Sequence, residues 1–544
     1  MIRWLIQGVA FAAFQAAPAI GQQGDGFVLG AQTHFKQGWS IDLLDKADSL
    51  GAMALRDEID WARVEREKGV YDFSAADMYM RPMLDRGFRP LLVINETNPL
   101  YDLGETPHTD EGRAGFAAFI SAILSHYGVD KVRIEIGNEV NSKDFFGGPA
   151  AADPPRFFAA ITRAVDARLQ VDHPGARFSC SGLNVVGIGY YRAFFRYGGL
   201  LSCDAISVHP YRDHPETLRA ELDRLKALMR EFGGEKPIEV TEFGHWFDDP
   251  QAAPDYMFKM VSAMAAADVT SAYWYALRDE EWWPNMGLLT LSGQNRKPAA
   301  AAYSFLQQKI LPLGRPVRLG NNPTVHIYRF GAGQAHVVWG SGGAFSVEGA
   351  VSFFDTQGRE IDPVTTLSDT PVIIWGEGVT FRVPQPVLIA DNMYEYGQHP
   401  WSYYALRPDV GLTPLEIVDG NWTSTRGAPD LSPLQIGDVW VTTARFAGVP
   451  FAAVERFTAS ASGTYRIEAN WQVPGEDDEP QLRILHNRTQ IMAEKLTRSG
   501  LVITDMTVTL SAGDTLDFEV APAEPDGTGA VQRRIRIIGP SASN

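Results

Sequence analysis

Between residues 27 and 308 the chain alternates short apolar, β-branched runs with longer amphipathic ones, and this alternation narrows the fold more than any other feature. Strand-like runs fall at 27–31, 52–57, 90–94, 131–136, 177–182, 205–209, 237–241 and 270–275. Helical spacing lies between most of them. Ile41, Leu44, Ala47 and Leu50 share one face of 40–50, and 114–126, 155–171 and 216–232 repeat the pattern. Alternating strands and helices build βα units on a parallel sheet. Eight units in about 280 residues fit an α/β fold of the (β/α)8 TIM-barrel type, expected over 23–311. An open doubly wound sheet is the alternative, but no Gly-rich phosphate loop follows the first strand.

Beyond 312 the helical period disappears. Runs such as Val325-His326-Ile327-Tyr328 and Ala335-His336-Val337-Val338-Trp339 alternate with period two between Gly-rich turns. A small β-sandwich packed on the barrel is expected over 312–390. A second β-sandwich is expected over 391–544, either a carbohydrate-binding module or a structural one. Its aromatics Trp401, Tyr403, Tyr404 and Trp422 serve as binding surface or as core.

The formal net charge of −18 argues against nucleic acid and against anionic membranes, both of which reward basic patches. Residues 1–22 read as a secretory signal peptide: Arg3, an apolar stretch through Phe14, then small residues before a cut after Gly21. An uncleaved N-terminal anchor or a buried helix is the alternative. Secreted or periplasmic location follows, with no other membrane contact and a monomeric state. The two cysteines, Cys180 and Cys203, are no disulfide framework. Export permits a bond between them, but two buried free thiols are the favoured expectation. No Cys/His spacing matches a zinc site, so neither metal nor cofactor is expected.

Two strand ends carry the chemistry: Ile136-Gly137-Asn138-Glu139 and Val240-Thr241-Glu242-Phe243-Gly244. In one parallel barrel both glutamates emerge at the C-terminal rim, where paired carboxylates can cleave a glycosidic bond. Each alone has a plain account, an N-cap for Asn138-Glu139 and a structural ion pair for Glu242. Strand alternation does not separate these accounts, because it puts Glu242 on the side of Ile238 and Val240, and Glu139 opposite Ile134 and Ile136. Other rim residues agree with glycosidic chemistry. His209 and Tyr211 can hydrogen-bond a nucleophilic carboxylate, and Arg56 can keep it ionised. Trp274 can floor a sugar subsite, while Trp246, Trp282 and Trp283 can extend the groove.

With these residues in place, the stretch 27–310 resembles the retaining glycoside hydrolases of clan A, which share Asn-Glu after strand 4 and Glu after strand 7. The run from Leu55-Arg56-Asp57-Glu58 to Tyr71-Asp72-Phe73 is similar to family 39 and its relatives, which include endoglycosidases linked to bacterial exopolysaccharide. His209-Pro210-Tyr211 and Glu242-Phe243-Gly244 are similar to family 5. Gly137 stands where many relatives have Trp. The resemblance implies double displacement on a polysaccharide or oligosaccharide, with Glu242 as nucleophile and Glu139 as acid/base. It implies that Arg56 and Tyr211 support Glu242, and that Asn138 binds the sugar 2-hydroxyl. A non-catalytic polysaccharide-binding barrel and a metal-dependent lyase are the alternatives.

Overall fold

The computed structural model describes residues 26–95, 97–320, 322, 325–340, 343–382, 388–474, 479–523 and 529–539. The expected export signal, 1–22, lies outside them. Among the described residues no helix is long and apolar enough to cross a membrane.

Eight parallel strands close a barrel: β1 (Val28–Gln32), β2 (Ala54–Glu58), β3 (Arg89–Ile94), β4 (Arg133–Ile136), β5 (Phe178–Asn184), β6 (Ala205–His209), β7 (Ile238–Phe243) and β8 (Ser271–Trp274). Each pairs with its neighbours in the chain, and β8 closes on β1. The ring of helices is α1 (Leu43–Leu50), α2 (Ser74–Asp85), α3 (Asp110–Tyr127), α4 (Pro154–Asp172), α5 (Ile188–Arg196), α6 (Leu218–Glu231), α7 (Ala253–Ala266) and α8 (Pro298–Phe305). The fold is the expected (β/α)8 barrel.

Alternation along the strands divides two cores. Leu29, Leu55, Leu92, Ile134, Ile136, Ile206, Val208, Ile238, Val240 and Trp274 belong to the large core shared with the helices. Ala54, Leu91 and Tyr273 form a separate small cluster in the lumen. Gly30 makes room for the Tyr273 ring, which would lie 2.5 Å from a Cβ at that position. Above this floor the lumen is polar, and that is where the site lies.

Cys180 on β5 and Cys203 just before β6 are disulfide-bonded across a separation of 23 residues. This corrects the favoured expectation of free thiols. Cys180 shares the outward side of β5 with Phe178, and there it meets the segment entering β6.

The middle unit folds as a six-stranded antiparallel sheet with two small two-stranded sheets. Tyr328, Phe330, Val337 and Trp339 join the barrel's core, while Val325, Ile327, Val338 and Ile374 form its own. In the C-terminal unit, two antiparallel sheets enclose Trp401, Tyr403, Phe457, Tyr465, Trp471 and Phe518. Trp401 and Tyr403 are thus core residues. The strand Leu388–Asp391 already pairs with Ala530–Ile538, so this sheet begins slightly before residue 391.

Candidate active site

At the upper end of the lumen, Arg56 projects inward from β2 and is almost wholly buried. Its Nε donates to Glu135 Oε2 at 2.7 Å, and its Nη1 to Gln32 Oε1 at 2.7 Å and Glu242 Oε1 at 2.6 Å. Its Nη2 donates to Asn138 Oδ1 at 3.0 Å. Such a planar fork can hold several acceptors at once. Asn138 therefore spends its carbonyl on Arg56 and keeps its amino group as a donor.

Simple alternation would turn Glu242 away from the lumen with Val240. Instead, the register between β7 and β8 shifts: Ala272 pairs with Val240, but Trp274 pairs with Phe243. The extra residue is a β-bulge, which re-aims a side chain at a barrel rim. Thr241 and Glu242 thus both reach polar lumen partners, and Phe243 packs outward against Trp274.

Glu139 follows β4 on a sharp turn. Gly137 has φ 84° and a Cβ there would meet Val140 at 2.7 Å and Phe158 at 2.8 Å. Any larger residue, tryptophan included, is therefore strained and blocked at this position. The Glu139 amide donates to Gly182 O at 2.7 Å, which ties the turn to β5.

The fully buried His209 stands between the carboxylates. Its Nδ1 lies 3.3 Å from Glu139 Oε1 and 3.6 Å from Glu242 Oε2, and its Nε2 lies 3.0 Å from Thr241 Oγ1. Thr241 gives its only hydroxyl proton to Glu135 Oε1 at 2.6 Å, so it must accept from His209 Nε2–H. Tyr211 donates its hydroxyl to Glu242 Oε2 at 2.8 Å. Burial pushes the Glu242 carboxyl up, but His209, Arg56 and the Tyr211 hydrogen bond outweigh it and hold the group below the ordinary carboxylate range. Burial and then the Glu242 charge push the Tyr211 phenol well up, which keeps it a donor.

One ligand-capable atom each from Glu139, His209 and Glu242 lie within 4.8 Å of one another. That spacing could also hold a divalent cation. The donor set fits one poorly: Arg56 and Tyr211 already occupy the two oxygens of Glu242, and the guanidinium repels a second cation.

The structure thus brings together Arg56, Asn138, Glu139, His209, Tyr211 and Glu242. Trp246 and Trp282 stand in the loops after β7 and β8 and are 53% and 82% exposed, and Trp246 meets Trp283 edge-on at 5.9 Å. Trp274 is a correction. It is fully buried between barrel and helices, its indole N–H donates to Met286 O at 2.8 Å, and it offers no face to a sugar. The rim position belongs to the next residue, Tyr275, whose hydroxyl lies 3.2 Å from His34 Nε2.

Gln32, His34, Glu135 and Thr241 are site residues not expected from the sequence, and Tyr275 was expected only as part of the aromatic end of β8. The signal for Glu135 was present, since Arg133 and Glu135 alternate with Ile134 and Ile136. Below this layer Arg133 pairs with Glu239, near Tyr273. His34 also lies 3.0 Å from Gln37 Nε2, and burial lowers its pKa.

Fold and site together define a (β/α)8 barrel whose C-terminal rim joins two carboxylates to a histidine, a tyrosine and an arginine. No protein-family model matches the chain, and no curated protein matches it. Among solved structures it is similar to an exo-β-1,4-mannosidase from Opitutaceae bacterium strain TAV5, at 20% identity and TM-score 0.42, covering 52% of this chain and 59% of that one. The chain therefore spans less than two thirds of the mannosidase. It is also similar to a GH39 enzyme from Xanthomonas axonopodis pv. citri, at 15% identity and TM-score 0.44, covering 92% and 94%. A family 86 β-porphyranase from Bacteroides plebeius follows at 12% identity and TM-score 0.46, covering 95% of each chain. At these identities and TM-scores the likeness bears on neither substrate nor chemistry.

Proposed function

We propose that this chain is a secreted or periplasmic retaining glycoside hydrolase acting on a polysaccharide. One observation carries the reading: oxygens of Glu139 and Glu242 approach within 4.8 Å, with Glu242 held ionised by His209, Arg56 and Tyr211. Retaining glycosidases hold their carboxyls roughly 5–5.5 Å apart, whereas inverting ones leave about 6.5–9.5 Å for a water. The Glu242 carboxylate attacks the anomeric carbon while Glu139 protonates the departing glycosidic oxygen, giving a glycosyl-enzyme ester. Glu139, now a carboxylate, then takes a proton from water as that water attacks the same carbon and releases Glu242. The Asn138 amino group is the donor for the 2-hydroxyl, where contacts tighten in the transition state. Export is supported by the Cys180–Cys203 bond, since disulfides persist in oxidising compartments.

The test is stereochemical. Proton NMR of the first-released sugar, recorded before mutarotation, should show the anomer of the substrate. The opposite anomer overturns the double displacement. Glu242→Gln should abolish hydrolysis but keep polysaccharide binding, whereas a binding-only barrel would show no hydrolysis in either form.

A further inference from the structure

The C-terminal sandwich sends one hairpin, Glu416–Asp419 paired with Ser424–Gly427, onto the catalytic end of the barrel. Its tip sits on the loops that follow β4 and β5. Asn141, two residues after Glu139, donates from Nδ2 to Asn421 O at 3.2 Å and to Asn184 O at 2.9 Å. The Gly189 amide donates to Gly420 O at 3.0 Å. Asp419 pairs with Arg192 and Arg224 and accepts the Ser424 hydroxyl. The barrel is shaped for this contact. A Cβ at Gly187 would lie 2.2 Å from Asn421 O, and one at Gly189 would lie 2.5 Å from Asp419 O.

Anchoring accounts for Asp419, Gly420 and the Asn421 carbonyl, but not for Trp422, which is 44% exposed beside them. Single exposed apolar residues need no explanation, but these are not scattered. Among the described residues the tryptophans left largely exposed are Trp246, Trp282, Trp283 and Trp422. The first three leave the barrel after β7 and β8, and the fourth rests over the loops after β4 and β5. In the closed ring, β8 lies half-way round from β4. Exposed tryptophans therefore stand on opposite sides of the rim that carries Glu139 and Glu242. Phe145, in the loop after β4, adds a further exposed ring on the Trp422 side.

We infer that the 416–427 hairpin is a wall of the substrate groove, with Trp422 a sugar-stacking platform across the cleavage point from Trp282, so that the groove takes an internal stretch of a polysaccharide and cuts it endo-wise. The inference rests on the glycosidase reading. Sugar rings present apolar C–H faces that stack on aromatic rings, and a chain held on both sides of the scissile bond is cut within its length.

The experiment uses the full chain on a panel of xylan, mannan, mixed-linkage β-glucan and galactan, with the matching p-nitrophenyl glycosides. For the polymer that is cleaved, viscosity should fall well before reducing ends accumulate. In Trp422→Ala, the ratio of kcat/KM on the polymer to kcat/KM on the aryl glycoside should fall roughly tenfold, as for loss of one stacking contact. Gly189→Ala, which displaces the hairpin without touching Trp422, should lower the same ratio. In affinity electrophoresis through that polymer, Glu242→Gln should be retarded and Glu242→Gln/Trp422→Ala less so. An unchanged ratio in Trp422→Ala, or monosaccharide as the only early product, overturns the inference and leaves the glycosidase reading standing. Wild-type hydrolysis no greater than that of Glu242→Gln on the whole panel overturns both.

Discussion

Replacing Arg56 with methionine removes a guanidinium shared by Gln32, Glu135, Asn138 and Glu242. Taking one partner from a buried ion pair costs about 3–5 kcal/mol, because the other charge stays buried and uncompensated. Here two carboxylates lose their partner, Glu135 at 0% and Glu242 at 8% exposure, which places the cost at the upper end of that range. One kcal/mol shifts the melting of a domain of nearly 300 residues by slightly under about 2 °C, so the barrel should melt roughly 8 °C lower. Circular dichroism at 222 nm reads this unit selectively, since the α-helices of the described residues all belong to the barrel. A double-mutant cycle isolates the pair. Glu135→Met should destabilise the wild type by several kcal/mol and the Arg56→Met protein far less, with a coupling of about 2–3 kcal/mol. Acid dependence gives a second readout. A carboxyl held low in the fold stabilises it above the unfolded-state pKa, and that stability is lost as pH falls through the folded value. Without Arg56 the burial of Glu242 weighs more, so acid loss of stability and the acid limb of kcat/KM should both move to higher pH. Additive single effects within about 0.5 kcal/mol, or an unmoved acid limb, would refute the reasoning.

Glu139→Ala should lose about 10²–10⁴-fold in turnover, least on aryl glycosides whose leaving group needs no proton. Azide should restore it by forming a glycosyl azide of retained configuration, and an azide-insensitive variant would remove Glu139 from the acid/base role. Reduction of Cys180–Cys203 opens a loop spanning 23 residues and should lower stability by about 3 kcal/mol. Melting with and without reductant checks this, and coincident curves would show that the loop stays ordered on its own. Trp274→Phe should destabilise the barrel by about 1–3 kcal/mol through lost packing and the unpaired Met286 carbonyl, with KM within about twofold of wild type. A tenfold rise in KM without loss of stability would contradict its buried placement.

The barrel was legible because its period is carried by many residues, and no single one decides it. The carboxylate pair was legible because a strand end followed by loop residues locates the rim whatever the local side-chain direction. Direction itself was not readable. The bulge between β7 and β8 reverses the side of Glu242, and nothing in Val240-Thr241-Glu242-Phe243 marks where the extra residue falls. Tyr275 lost the aromatic role to Trp274 for a different reason, since a tryptophan suits a sugar platform and a helix–barrel core equally well. Gln32, Glu135 and Thr241 were missed because a polar residue in a strand usually signals solvent, whereas here the far side is a closed lumen. The disulfide depended on the distance between β5 and the approach to β6, which one sequence does not contain.

The lumen also explains why such a costly core is retained. A nucleophile at this rim has to be stripped of water and still carry charge, and burial alone drives it neutral. His209 and Arg56 supply the compensating charge, and Arg56 does not pair with Glu242 alone. Glu135 and Gln32 share the fork and fix its orientation, so Glu242 receives one nitrogen and keeps Oε2 for Tyr211. Glu135 acts twice in this arrangement. By taking the Thr241 proton it obliges His209 to hold Nε2–H, which leaves Nδ1 as the nitrogen turned toward both carboxylates. A single strand residue outside the carboxylate pair thus orients both the guanidinium on Glu242 and the histidine ring beside Glu139.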